Sequence, residues 1–234
     1  MRPVTKGPWP EDPTKPGQPF VFTEYGLAKR FLMERLGTYC SYCEQRIPAN
    51  LAVEHVQPKS LKPALALSWN NFLLGCVNCN SNKGNKPVVL SKYVWPDLNN
   101  TLKYFTYDFS GIVKPNQALN TAEKGKAQKL ITLVGLHKMS PAPGTIDYYN
   151  ASDLRHENRI KSWLLATRYE TAYSNAAPEI KVLMLEFLVT IVDRDGFWSI
   201  WYHIFKNHPE IRKAFIAALP GTAIQHFDAN GNPI

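Results

Sequence analysis

The chain has 234 residues, 44% of them hydrophobic and 20% charged, with a formal charge of +8. That is the length and apolar content of a globular protein with a sizeable core. No uninterrupted apolar stretch reaches the ~18 residues that cross a bilayer, which excludes a membrane-spanning helix.

Residues 1–22 carry Pro3, Pro8, Pro10, Pro13, Pro16 and Pro19 with few apolar anchors, and read as a proline-rich arm, either a tail or a docking segment. From Thr23 to Leu36 the sequence TEYGLAKRFLMERL predicts a helix with Leu27, Phe31 and Leu32 on one side and Gly37 as its C-cap. That helix leads into Cys40-x-x-Cys43. Leu51–Val56 reads as a short strand stopped at Pro58, followed by a loop rich in Lys, Pro and Ser. Trp69–Gly75 leads into Cys76-x-x-Cys79, after which 80–86 can form only a brief helix because Gly84 and Pro87 curtail it. Residues 88–115 read as extended or turn-rich. Apolar residues three and four apart then predict helices over 121–137, 151–173, 179–192, 197–206 and 209–219, with a frayed tail DANGNPI. The expected fold is α+β: the arm, a small zinc-clipped core over 23–110, and a mainly α-helical region over 111–234.

Two Cys-x-x-Cys knuckles are a zinc clip by coordination chemistry, since two intervening residues let one tight turn aim both sulfurs at one ion and Zn²⁺ takes four thiolates in a tetrahedron. Two disulfides are the competing reading. They persist mainly in secreted proteins, and the opening residues have no apolar core of an export signal, so Cys40, Cys43, Cys76 and Cys79 are expected to hold a structural zinc in a cytoplasmic protein. Charge points the same way as the knuckles. Between Lys59 and Lys103 lie Lys62, Lys83, Lys86 and Lys92 with Asp97 as the sole acid, so the positive field that favours a polyanionic partner sits on the metal-binding segment.

Hydrolysis of a phosphodiester needs a base for water, a cation for the phosphoryl and leaving oxygens, and a group that holds the base in place. The segment between the knuckles offers each. His55 can be an unprotonated base near neutrality, Glu54 and Asn80 supply the hard oxygens that Mg²⁺ or Mn²⁺ prefers, and Asn71 can hydrogen-bond backbone and fix the base. Lys59, Lys83 and Lys86 are candidates for gripping a phosphate backbone. One geometric difficulty is that strand neighbours face opposite ways, so Glu54 and His55 share a centre only where the strand bends or ends.

CSYC, then VEHVQPKS, then WNNFLLGCVNCNSNKG resembles the HNH nucleases with a ββα-metal active site and a Cys₄ zinc clip. The resemblance covers about residues 38–87 and implies that Glu54 and Asn80 bind the catalytic metal, His55 is the general base and Asn71 orients it. Asn71 is chosen over Asn70 by its spacing to the knuckle in NFLLGC. The downstream Trp95-Pro96-Asp97 and the helical half further resemble PtuB-type HNH proteins of Septu-like and retron-linked antiphage systems. That implies a partner ATPase of the ABC type and a nucleic-acid substrate, DNA or a structured RNA such as tRNA.

The rival reading is a non-catalytic zinc-clipped module that binds nucleic acid or a protein partner. Trp69 and Phe72 are expected to pack rather than stack on bases, and Trp95 fits either role. His137, His156, His203, His208 and His226 lack a mutual metal-ligand spacing, and the cluster Arg155, His156, Arg159, Lys161 reads as a solvated helix face, with phosphate contact as the alternative.

Overall fold

A computed structural model describes all 234 residues. The proline-rich opening is docked rather than trailing. Met1, Arg2, Val4 and Lys6 are buried. Val4 N–H donates to Pro96 O at 2.7 Å and Ala223 N–H donates to Pro3 O at 3.0 Å, while the Arg2 guanidinium donates to Leu36 O, Pro220 O and Thr222 Oγ1. Proline restricts the unfolded chain, so an extended segment rich in it loses less entropy on docking. The exposed part of the arm is a hairpin of β1 (Glu11–Asp12) and β2 (Lys15–Pro19).

Helix α1 (Ala28–Leu36) follows a 3₁₀ turn at Tyr25–Leu27. Its buried stripe is Ala28, Leu32 and Leu36; Leu27 is exposed, one step off the predicted face. Gly37 closes the helix at φ 77°, where a Cβ would also lie 2.6 Å from the Tyr39 ring. Strands β3 (Ala52–His55) and β4 (Phe72–Gly75) pair antiparallel, with Ala52 opposite Gly75 and His55 opposite Phe72. Helix α2 (Val77–Lys83) begins three residues before the predicted start because Cys76 Sγ caps it, accepting from Cys79 N–H at 3.3 Å. These elements make the ββα unit.

A two-residue ladder of β5 (Phe105–Thr106) and β6 (Lys114–Pro115) precedes α3 (Thr121–Leu133), whose start is fixed by an Asn120/Glu123 capping box. The chain continues through α4 (Ile146–Asn150), α5 (Arg155–Ser174), α6 (Pro178–Asp195), α7 (Trp198–Ile204) and α8 (Pro209–Ala218). Two apolar cores result. One runs from Met1 to Leu136 and gathers α1, the β3–β4 hairpin, both knuckles, Trp95 and the inner face of α3. The other packs Leu188, Val192, Trp198, Trp201, Phe205 and Phe215 among α5–α8. Helix α3, grouped by sequence with the helical half, therefore packs on the half that carries the cysteine knuckles. The tail is pinned: Phe227 bridges Pro233, Ile234 N–H donates to His226 O, and Asn100 Nδ2 donates to Ile234 O. No helix is long and apolar enough to cross a membrane.

Candidate active site

The two knuckles converge. All four Sγ atoms are buried and lie within 4.8 Å of one another, and Cys43 and Cys76 Sγ are 3.7 Å apart. Zn–S bonds of about 2.3 Å at tetrahedral angles place sulfurs about 3.8 Å apart, so the donor set fits zinc. Charge gives the same answer. Hydrogen bonds from Cys40, Cys43 and Cys79 pull the Cys76 thiol far down, while hydrogen bonding to Cys40 and Cys76 pushes Cys43 up and burial pushes Cys79 up. A bound cation is what would let all four buried thiols ionise together. The guanidinium of Arg155, buried at the start of α5, donates to Cys79 Sγ at 3.0 Å and to Val134 O and Gly135 O. Arg159, one turn on, is also buried and donates to Gly111 O and Leu136 O. His156 is held by Ser110 O and Ser140 N–H. These three residues thus form neither the solvated face nor the phosphate contact that their sequence suggests; they bind the helical half to the half that carries the cysteine knuckles.

Beside the clip is a cavity of about 150 Å³ lined by Glu54, His55, Lys59, Asn80 and Lys83, among others. Strand β3 ends at His55, and that termination lets the neighbours Glu54 and His55 reach one cavity. The ring of His55 is 8% exposed and wedged edge-on between Tyr25 and Phe72, with centroids at 5.0 and 5.2 Å. Its Nε2 lies 3.0 Å from Ala66 O. A carbonyl only accepts, so Nε2 carries the proton and the neutral ring keeps its lone pair on Nδ1. Burial pulls His55 below the ordinary histidine range, opposed by the Ala66 hydrogen bond and assisted by Lys59 and Lys83. The ring is neutral at pH 7.

Asn71 lies outside this cavity, buried at the foot of β4. It accepts from Gln57 N–H at 2.8 Å and donates to Gln57 O at 2.9 Å and Leu65 O at 3.2 Å. Those bonds clamp both ends of the loop that delivers Ala66 O to His55. Asn70 is exposed and makes no side-chain hydrogen bond in the chain.

Glu54 is 3% exposed, and burial raises its pKa against the opposing pull of Lys83. Its Oε1 has no hydrogen bond of good geometry but lies 2.8 Å from Lys83 Nζ. Asn80 approaches from α2 across Gly75, where a Cβ would stand 3.1 Å from Glu54 Cβ and 3.8 Å from Asn80 Cβ. Gly75 also belongs to the site, and its mark in the sequence is a glycine ending a strand where another chain segment comes close. A buried carboxylate and a side-chain amide that line one cavity are the hard-oxygen donors that Mg²⁺ or Mn²⁺ takes, and here the Lys83 ammonium neutralises the carboxylate.

Lys83 differs from its expected role. It is 1% exposed and also donates to His55 O at 2.6 Å, so it braces the end of β3 instead of facing a phosphate backbone. The two exposed lysines of the set behave otherwise: Lys59 Nζ stands 3.9 Å over the Tyr25 ring, and Lys86 Nζ donates to Asn82 O. Trp69, Phe72 and Trp95 are fully packed, with Trp69 Nε1 on Gly7 O and Trp95 Nε1 on Leu90 O.

Residues 40–86 match the family described as HNH endonuclease. They form an HNH module. The match begins at the first knuckle and ends just past α2, so it covers the zinc clip, the hairpin and the cavity together. The chain is also 27% identical over 132 residues to the HNH protein of retron Vc95 from Vibrio cholerae serotype O1 biovar El Tor, covering 52% of this chain and 64% of that one. It is 31% identical over 101 residues to the Septu protein PtuB of Bacillus thuringiensis, covering 41% of this chain and 37% of PtuB. The chain thus spans less than two thirds of either relative, and the HNH module is the part for which fold, residues and family agree.

Proposed function

We propose that the protein is a metal-dependent HNH endonuclease that hydrolyses phosphodiester bonds of DNA or a structured RNA. The observation that carries this reading is the bond from His55 Nε2 to Ala66 O, which leaves Nδ1 as the free ring nitrogen of a residue that lines one cavity with Glu54 and Asn80. His55 accepts a proton from water at Nδ1, and the Ala66 carbonyl stabilises the imidazolium that forms. Asn71 keeps that carbonyl in place through its bonds to Gln57 and Leu65. Glu54 and Asn80 would hold Mg²⁺ or Mn²⁺, which when bound neutralises charge on the phosphoryl and leaving oxygens. Lys59 and Lys86 lie exposed beside the cavity mouth and α2, where they can meet phosphates. Zinc keeps the scaffold and does no chemistry.

The likeness to a retron HNH protein and to PtuB supports a place in antiphage defence; we infer a cytoplasmic effector that works with an ABC-type ATPase. One observation favours a rival. The Lys83 ammonium occupies the Glu54 carboxylate, the arrangement of a centre that is silent until a partner or substrate displaces it. The test is cleavage of plasmid DNA and of total tRNA by the zinc-loaded protein with Mg²⁺, Mn²⁺ or EDTA, alone and with any ATPase encoded alongside. Metal-dependent cutting by the protein alone supports the autonomous enzyme, and the substrate that is cut names the class. Cutting confined to the ATPase-containing reaction supports the gated centre, and no cutting in any reaction overturns the endonuclease reading in favour of a nucleic-acid-binding subunit.

A further inference from the structure

A second cavity, of about 540 Å³, lies apart from the one that holds His55. Val56, Gln57, Leu65, Leu90 and Leu98 line it, together with the ion pair of Lys6 and Asp97. Lys6 has committed its three donors, to Asn70 O at 3.0 Å, Phe72 O at 2.8 Å and Asp97 Oδ2 at 2.9 Å. Asp97 Oδ1 accepts no hydrogen bond within the chain, although the side chain is only 8% exposed. The side-chain amides of Gln57 and Asn70, which also line the cavity, have no partner in the chain. Apolar walls with one unpaired carboxylate oxygen and two free amides fit a flat heterocycle that presents N–H donors, and the volume is that of a small-ligand site.

The position of the cavity narrows the ligand. Val56 and Gln57 line it, while the next two residues, Pro58 and Lys59, line the His55 cavity. Successive Cα atoms are about 3.8 Å apart, so the two cavities adjoin within a nucleotide's reach along the same loop. Single-stranded and flipped bases are read in pockets of this kind by hydrogen bonds to their Watson–Crick edge. We propose that this cavity seats one unpaired base of the substrate next to the cleaved phosphate, and that Asp97 selects guanine, whose N1–H and N2–H donors are adjacent. The inference rests on the endonuclease reading for its context but not for its test.

That test is binding of GMP, AMP, CMP and UMP to the zinc-loaded protein without Mg²⁺, followed by saturation-transfer NMR and calorimetry. GMP is expected to bind about 10-fold or more tighter than the others, in the range of one well-made base contact. Asp97→Asn should abolish that preference. Because Asp97 also neutralises Lys6, Leu98→Trp at the exposed rim is the second variant: it leaves the ion pair alone, fills the mouth and should weaken all four nucleotides. Equal binding of all four, no binding at millimolar nucleotide, or binding indifferent to Leu98→Trp in a folded protein would overturn the site. Guanine-selective binding by a protein that never cuts would keep the site and defeat the endonuclease. Cutting without base selection that survives Leu98→Trp would do the reverse.

Discussion

Lys83→Met isolates the charge at the centre of the HNH module. The ammonium lies 2.8 Å from Glu54 Oε1 with both side chains at most 3% exposed, and it donates to His55 O at 2.6 Å. Met keeps much of the volume, so the substitution mainly leaves a buried carboxylate without its cation, a loss of ~3–5 kcal/mol. At ~2–4 °C per kcal/mol for a chain of this size, the melting temperature should fall by ~6–20 °C. The loss should depend on pH. Burial already raises the Glu54 pKa against the pull of Lys83, and removing Lys83 raises it further. A carboxyl whose pKa is higher folded than unfolded stabilises the fold below the unfolded value, and that stability is lost as pH climbs through the folded value. The deficit of Lys83→Met relative to the parent is therefore largest near neutrality and shrinks on acidification toward about pH 5. Adding Glu54→Gln removes the stranded charge and should restore more than half of the loss. The assay is thermal melting of zinc-loaded parent, single and double variants without Mg²⁺ at the two pH values. A deficit below ~1 kcal/mol at neutrality, as for an exposed pair, or one that neither acid nor Glu54→Gln relieves, would refute the reasoning.

Cys76→Ser should abolish zinc binding and the cooperative melt, because a structural zinc contributes ~10–16 kcal/mol of apparent binding energy to folding; retained zinc by atomic absorption would contradict the clip. Arg155→Ala should lower stability by ~3–5 kcal/mol and speed transfer of zinc to a chelator, since the guanidinium that donates to Cys79 Sγ is lost. Chelator kinetics equal to the parent would detach Arg155 from the metal centre. Asn71→Ala should cost ~1–3 kcal/mol by orphaning the loop's backbone groups, and should reduce cleavage further, by ~100-fold, through misplacement of Ala66 O. Cleavage that falls no more than stability predicts would assign Asn71 to the fold alone.

What the sequence made legible follows from which forces are local. The knuckle spacing, the strand ending before Pro58 and the glycine after α1 are short-range signals, and each produced the element it predicts. Long-range pairing left no such mark. Lys83 is typed as a surface residue by its chemistry, and only the hairpin packed against α2 shows that its ammonium ends on Glu54. Arg155 and Arg159 sit on a helix whose sequence reads as polar, yet Cys79 Sγ and the carbonyls of residues 111, 134, 135 and 136 lie far away in sequence. The opening residues lack the apolar content to order themselves, and are ordered by partners such as Glu44, Asp97 and Thr222. The HNH signature over residues 40–86 was readable, whereas the second cavity and the gap kept by Gly75 exist only once the chain has folded.

The most direct test of the central claim is the cleavage rate of His55→Ala on whichever substrate the parent cuts, with zinc content and melting temperature measured on the same samples. His55 is predicted to contribute as a general base, so the variant should keep its zinc and its melt while cleavage falls by ~10²–10⁴-fold. An unchanged rate in a folded, zinc-loaded variant would contradict the assignment of His55, and with it the reading of the cavity as a phosphodiesterase centre.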